Sequence, residues 1–370
     1  MSTSPLRIAV VGVGSVGSSH ARELHHGKVR RATLSAVCDP SAEALARFPS
    51  VPGFATQSAL LESGLADAVL IATPHYAHTP LAIEALAAGL HVLVEKPLAV
   101  HKADALQMLA AYERRPKSNQ RFGEMLVLRT DPRFIHLRAL LKNGELGTIR
   151  RIHWVITDCF RTDAYYRSSS WRATWGGEGG GVLQNQCPHS LDLWQWLFGM
   201  PARVHAFCGF GRMHEIGVED QVTAYLEYDS GTNGVFVAST GEAPGTQRLE
   251  VVGDLGRVVV EAGGLQVTRN ATSTLELLRT GPVRAPKVSA RTEAIALAHG
   301  PSPLTGMMQN FADAILEGEA LVAPASEGIF SVELANAMIY SAISKQTVEL
   351  PLDPAMYAAE LARLIQQEHP

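Results

Sequence analysis

Apolar and polar positions follow two different grammars along this chain. Up to about residue 125, the runs LRIAVVG, LSAVCD, DAVLIAT and HVLVEK are apolar at nearly every position. Strands buried on both faces read this way, as a parallel sheet between helical layers requires. Helical periods between them predict helices over 16–26, 41–48, 80–88 and 102–115, each about the length of a crossover helix. The first region is therefore expected to be a doubly wound α/β domain of the Rossmann type.

Beyond GEMLVLRTDP the grammar changes. RFIHLRALLKNGELG reads as a helix ending on glycine, and TIRRIHWVITD as a strand. Long strands then dominate in ARVHAFCGFG, DQVTAYLEYDSGTNGVFVAST, QRLEVVGDLGRVVVEAG and LQVTR, joined by Asp-Ser-Gly, Gly-Asp-Leu-Gly and Ala-Gly-Gly turns. Residues 280–303 have no clear period and read as a loop. Helices are expected again over 304–317 and 326–345, and VELPLDPAMYAAELARLIQQ closes with a strand-like piece and a helix. The expected organisation is an α/β Rossmann domain over 1–126 and an α+β domain over 127–370 with a large, mostly antiparallel sheet. The final segment either stays with the second domain or packs back on the first.

Length and composition narrow the class. At 370 residues the chain exceeds one ordinary core, and with 46% hydrophobic against 18% charged residues it has much to bury. That balance leaves room for subunit contacts, so a homodimer or homotetramer is expected. A net charge of −4 offers no general attraction to nucleic acid or anionic membrane. No apolar run reaches membrane-spanning length, and MSTSPLRIAVVGVG enters a strand without a basic leader. Cys38, Cys159, Cys187 and Cys208 lack metal-type spacing, so reduced thiols, no metal and a cytoplasmic location are expected.

The clearest chemical motif is RIAVVGVGSVGSSHA, with Gly12, Gly14 and Gly17 in G-x-G-x-x-G spacing between a strand and a helix. The first glycine allows the tight turn and the second lets backbone approach a pyrophosphate. The third lets helix and strand pack closely. The backbone of Val13, Ser15 and Val16 then faces the anion at the helix start. Asp39 ends the second strand 22 residues after Gly17, where a carboxylate can accept from an adenosine ribose hydroxyl. The competing reading is a glycine-rich turn with Asp39 capping the next helix. A carboxylate there repels a 2′-phosphate, so NAD(H) is favoured over NADP(H).

Further on stand Thr73-Pro74, then His78, then Glu95-Lys96-Pro97 at a strand end. Together with the glycine motif and the stretch WRATWGGEGGGVLQNQCPHSLDLWQWLFG, this resembles the Gfo/Idh/MocA family of sugar and cyclitol oxidoreductases. Read from position, Lys96 lies at the carboxyl edge of the sheet, where ligands of open α/β folds bind. Its ammonium can stabilise oxygen charge as hydride leaves the adjacent carbon. A lysine merely ending a strand in solvent is the competing reading. The resemblance implies that Lys96 contacts substrate and that Thr73, Pro74, His78 and Glu95 belong to the cofactor side, with a helix cap as the alternative for His78. His25, His26, His75, His91 and His101 read as surface residues.

The family's usual substrate signature is a glycine run followed by Asp-x-x-x-His. This chain has Asn185 and His189 instead. On one continuous helix the two would share a face, but Pro188 predicts a kink or a helix start. At a helix N-terminus His189 is favoured as a neutral base that can take a hydroxyl proton. Asn185 can only position substrate. Asp192 either orients His189 or is a first-turn carboxylate. The competing reading of the whole stretch is a buried helix whose histidine satisfies a carbonyl. In the preceding TDCFRTDAYYRSSSWRATWGGEGGG, aromatic and arginine side chains suit a sugar clamp. The resemblance puts Trp171 and Arg172 near the cofactor. Arg129, Tyr166, Arg167 and Trp175 are further candidates for substrate contact, with an interface loop as the alternative.

The expected function is an NAD-dependent dehydrogenase or reductase acting on a secondary hydroxyl or ketone of a sugar, glycoside or cyclitol. The same resemblance leaves open an NAD-dependent glycosidase working by transient oxidation and elimination, and a non-catalytic sensor of NAD and sugar.

Overall fold

The structure is a computed structural model and describes residues 4–297 and 302–368. The chain divides into two compact units: Met1–Thr130 with Gly176–Gly179 and Gly300–Glu333, and the remainder.

In the first unit, strands and helices alternate as β1 (Leu6–Val11), α1 (Ser15–His25), β2 (Ala32–Cys38), α2 (Ala42–Ala46), β3 (Gly53–Phe54), α3 (Gln57–Glu62), β4 (Ala68–Ile71), α4 (His75–Ala87), β5 (His91–Val94), α5 (Lys102–Glu113) and β6 (Phe122–Glu124). They form a parallel sheet in the order β3-β2-β1-β4-β5-β6. The order reverses between β1 and β4, which opens a crevice at the carboxyl ends of those strands. Alternate residues of each strand serve opposite faces. Ile8 and Val10 pack with Ala21 and Leu24 of α1, while Ala9 and Val11 belong to the layer containing Ala82, Leu86 and Met108 of α4 and α5. Two local expectations are corrected. Helix α4 begins at His75, with Pro74 as its N-cap and Pro80 inside it, and the short α3, capped by the Thr56 hydroxyl, gave no periodic signal.

The second unit carries α6 (Pro132–Lys142), β7 (Ile149–Ile156), α7 (Asp163–Tyr166), α8 (Val182–Asn185), α9 (Pro188–Phe198), β8 (Arg203–Phe210), β9 (Glu219–Glu227), β10 (Asn233–Ser239), β11 (Gln247–Gly253), β12 (Gly256–Glu261), β13 (Gly264–Asn270), α10 (Thr274–Thr280) and β14 (Ala290–Ile295). The chain then continues through α11 (Pro303–Leu316), α12 (Ala325–Ser344), β15 (Val348–Glu349) and α13 (Pro354–Glu368). The sheet order is β14-β13-β12-β11-β7-β10-β9-β8-β15, antiparallel throughout except for β7 with β10. Its core is aromatic. Trp154 of β7 stacks on Trp194 of α9 at 6.4 Å between ring centroids, and Phe236 meets both. Gly234 makes room for this, since a Cβ there would lie 2.4 Å from the Trp194 ring.

Against the single boundary expected after residue 126, α11 and the start of α12 belong to the first unit. Met307, Met308 and Phe311 of α11 fill one face of the parallel sheet, and Ile329 and Val332 of α12 fill the other. Burial therefore assigns them across a long stretch of sequence. The expected loop over 280–303 also holds a strand, β14, paired with β13. It is a mostly exposed edge strand whose ARTEAI sequence shows little apolar alternation, so backbone hydrogen bonds rather than a hydrophobic face define it.

Candidate active site

The glycine loop joins β1 to α1 at the crevice where the strand order reverses. Gly12 has φ +83°, and a Cβ there would lie 2.7 Å from the Ala72 carbonyl oxygen. A Cβ on Gly17 would fall 1.8 Å from the Gly12 carbonyl oxygen, so helix and strand can close only over glycine. Gly14 is different: nothing lies within 4 Å of where its Cβ would be. It is the N-cap of α1, with no side-chain cap and no acidic residue in the first turn. The N–H groups of Ser15, Val16 and Gly17 head this helix, the arrangement that receives an anion.

Asp39 is part of the loop's own structure. Its Oδ2 accepts from the Val13 N–H at 2.9 Å and its Oδ1 from the Ser41 N–H at 2.9 Å, so it fixes the loop itself. From α2's end Arg47 donates to the Val13 carbonyl at 2.7 Å, a contact with no motif in the sequence. Burial pushes the Cys38 thiol at the end of β2 up to about 11, with the Asp39 charge adding to it.

Thr73 and Lys96 follow the adjacent strands β4 and β5. The Thr73 hydroxyl oxygen is buried and has no hydrogen-bond partner among the described residues, so it is available to a ligand. Pro74 is exposed beside it. Lys96 is half-buried, and its bond to Pro97 is cis. His78 departs from the expected nicotinamide contact. It is fully buried, with Nδ1 2.9 Å from the Pro97 carbonyl and Nε2 2.9 Å from the Thr73 carbonyl, so it ties the two loops together. Burial pushes its pKa down.

Glu95, expected on the cofactor side, is also an internal tie. Its Oε1 lies 2.6 Å from Nε2 of His20 on α1, and its Oε2 accepts from the Lys96 N–H. His20 lies within the glycine stretch RIAVVGVGSVGSSHA but carries no signal there, because its partner Glu95 is 75 residues away. Among the histidines read as surface residues, His75 is buried, with Nδ1 2.9 Å from the Glu178 carbonyl. His91 is half-buried and accepts from the Arg121 N–H. Burial first, then Arg121, pushes its pKa down to about 4.

Arg129 is removed from the substrate candidates. Its side chain is buried in a 3₁₀ turn over Val127–Thr130 and donates to the Val322 carbonyl and the Glu327 carboxylate.

In the second unit, Pro188 opens α9 as its first helical residue, and α8 ends at Asn185. Asn185 and His189 therefore lie on two short helices, not on one shared face. Both are half-buried, and His189 stands in the first turn of α9. Asp192 is buried and accepts from Gln195 at 2.9 Å. The glycine run is anchored by a residue that carried no signal in sequence. Glu219 of β9 is fully buried, and its Oε1 accepts from the Gly181 and Leu183 N–H groups at 2.9 and 3.0 Å.

The preceding clamp splits into a core side and an open side. Tyr166 is buried, donating to the Thr240 hydroxyl and meeting the His214 ring, which itself pairs with the buried Asp220. Trp175 is buried against Phe210. Both are corrected from substrate contacts to packing. Arg167 caps α7 and is exposed. Trp171 and Arg172 are half-buried, with the guanidinium 4.7 Å from the indole centroid. Tyr165, outside the sequence candidates, receives Arg172 Nη1 at 2.7 Å on its hydroxyl. Among the described residues, no group of three His, Cys, Asp or Glu side chains is placed to hold a metal ion. No helix there is long and apolar enough to cross a membrane.

These features define a dinucleotide-binding Rossmann unit coupled in sequence to an α+β unit with a large mixed sheet. The family model described as "Oxidoreductase family, NAD-binding Rossmann fold" matches residues 6–120, and the GFO/IDH/MocA C-terminal domain matches residues 134–259. The chain belongs to the GFO/IDH/MocA oxidoreductase family. The inositol 2-dehydrogenase of Leifsonia xyli subsp. xyli is 31% identical over 205 residues, 54% of this chain and 56% of that protein. The rhizopine catabolism protein MocA of Rhizobium meliloti is 30% identical over 195 residues, 52% of this chain and 57% of that one. The chain thus spans about half the length of the curated relatives it matches. The WlbA dehydrogenase of Bordetella pertussis, solved with NADH and UDP-GlcNAcA, superposes with a TM-score of 0.78 at 25% identity, covering 94% of this chain and 100% of that one.

Proposed function

We propose that this protein is an NAD(H)-dependent oxidoreductase that moves a hydride between nicotinamide and a secondary hydroxyl or ketone of a sugar, glycoside or cyclitol. The observation that carries the reading is the open space at Gly14 on the uncapped N-terminus of α1, with the unpartnered Thr73 hydroxyl at the next strand end along the same crevice. A dinucleotide supplies a pyrophosphate for the first and a polar group for the second. The bound nicotinamide supplies or accepts the hydride.

The chain's own residues supply the rest. Val13 to Gly17 hold the pyrophosphate and Asp39 accepts from the adenosine ribose. Thr73 and Pro74 line the nicotinamide half, and the family resemblance assigns Trp171 and Arg172 to the cofactor as well. Lys96 and His189 share the proton and oxyanion work, His189 acting as a neutral base, and Asn185 and Arg167 position hydroxyls. The substrate class rests on family membership and on the inositol dehydrogenase relatives. A homodimer or homotetramer in the cytoplasm belongs to the same proposal. The open face of the large sheet supports association, since Phe207 and Tyr225 on it are 70% and 47% exposed, and the four cysteines are free thiols.

The test is absorbance at the NADH band with NAD and a panel of hexoses, inositols, anhydrosugars and glycosides, for the parent protein and for Lys96→Ala and His189→Ala. Substrate-dependent NADH formation that falls at least 100-fold in both variants supports the assignment. Full turnover in both variants rejects the two catalytic roles, and aglycone release without net NADH replaces the dehydrogenase by the glycosidase.

A further inference from the structure

The most unusual polar arrangement outside the sequence candidates surrounds Tyr165, the last but one residue of α7. Three nitrogens direct N–H groups at its hydroxyl oxygen: Arg172 Nη1 at 2.7 Å, Gln186 Nε2 at 3.2 Å and Asn185 Nδ2 at 3.3 Å. Two guanidiniums also lie over its ring, Arg172 at 4.5 Å and Arg161 at 4.9 Å from the centroid. A phenolic oxygen has two lone pairs, so two of these three donors already saturate it as an acceptor. Its own proton meets no acceptor among the described residues, and the side chain is half-buried rather than free in solvent. Donors directed into an oxygen polarise its O–H bond, which makes the phenol a stronger donor than an isolated tyrosine.

We propose that Tyr165 is a substrate-binding residue whose phenolic proton is donated to a hydroxyl or carbonyl oxygen of a polyhydroxylated substrate. This rests on the sugar or cyclitol reading above. It also gives Asn185 a specific task. An amide nitrogen at 185 donates to Tyr165 and leaves the phenolic proton for substrate. A carboxylate at that position, the family's usual residue, would accept the proton for itself. Asn185 thus selects the direction in which Tyr165 donates, and Arg172 fixes the ring beneath it.

The test uses the full-length protein saturated with NADH and titrated calorimetrically with myo-inositol, D-glucose and 1,6-anhydroglucose. The tightest binder is then replaced by its monodeoxy analogues. Tyr165→Phe is expected to weaken binding by 10- to 100-fold, with NADH affinity unchanged. The loss should vanish for the one analogue that lacks the partner hydroxyl. Asn185→Asp should weaken binding similarly, and its effect should be smaller in the Tyr165→Phe background than in the parent. Parent-like binding by Tyr165→Phe overturns this role and leaves the functional reading standing. A loss equal for every analogue overturns it as well, because it marks a structural residue. Failure of the parent protein to bind any polyol overturns the functional reading and this inference with it.

Discussion

Two helices in this protein start behind a glycine run, and they use their N-termini in opposite ways. Helix α1 follows Gly12 to Gly14 and has no side-chain cap, no acidic first turn and open space at Gly14. Helix α8 follows Gly179 to Gly181, and a carboxylate of its own unit, Glu219, already accepts its first N–H groups. The same local grammar thus leaves one positive helix end for an outside anion and neutralises the other from within. Glycine alone does not announce a ligand site. What distinguishes the two is whether the rest of the fold delivers a carboxylate.

The largest expected effect tests how tightly the first site is built. Gly17→Ala places a methyl 1.8 Å from the Gly12 carbonyl oxygen, so backbone must move. The cost is about 3 kcal/mol of stability, read by urea unfolding, with NADH affinity reduced about 100-fold or more. At the second site, Glu219→Ala removes the acceptor of two buried N–H groups and should cost about 2–3 kcal/mol. NADH affinity should stay within about twofold of the parent, since that carboxylate serves the other unit. Equal loss of NADH binding in the two variants would erase the distinction drawn here.

The two ends were not equally legible. The near-continuous apolar runs and the strand-to-helix setting of Gly12, Gly14 and Gly17 exposed the first unit, because its packing is local and periodic. The addition of α11 and α12 to that unit escaped, since Met307 and Phe311 declare an apolar face but not which sheet it covers. At the second end, Pro188 marks a kink or a helix start, and the structure makes it the latter. Glu219, His20 and Tyr165 were invisible because a side-chain hydrogen bond leaves no period in sequence. Composition alone cannot say which of two adjacent tyrosines faces the core, so the sequence points to Tyr166 as readily as to its neighbour. The structure turns Tyr166 toward Thr240 and Tyr165 toward Arg172.

Acid should act on the first unit through His91. Its pKa is pushed from 6.5 in the unfolded chain down to about 4 by burial and by Arg121. Between those values the unfolded chain binds the extra proton, so stability is full above about pH 6.5 and falls as the pH drops toward 4. For a half-buried ring the loss is on the order of 2 kcal/mol once solvent screening is allowed for. His91→Asn keeps an acceptor for the Arg121 N–H and should flatten the decline, measured as Tm against pH.

The smallest effect on stability is the sharpest probe of the contrast between the two helix starts. Gly14→Ala adds a methyl that meets nothing within 4 Å, at an N-cap with φ −63° and ψ −154°, where alanine is a somewhat poorer cap than glycine. Unfolding free energy should therefore fall by no more than about 1 kcal/mol. If the space at Gly14 is where a pyrophosphate approaches the backbone, the same methyl should weaken NADH binding about tenfold or more. Stability and affinity then separate in one variant, as they cannot at Gly17, where fold and site share the same contact. An alanine protein that keeps both would mean that the open end of α1 is merely solvated. Its difference from α8 would then concern packing rather than a cofactor.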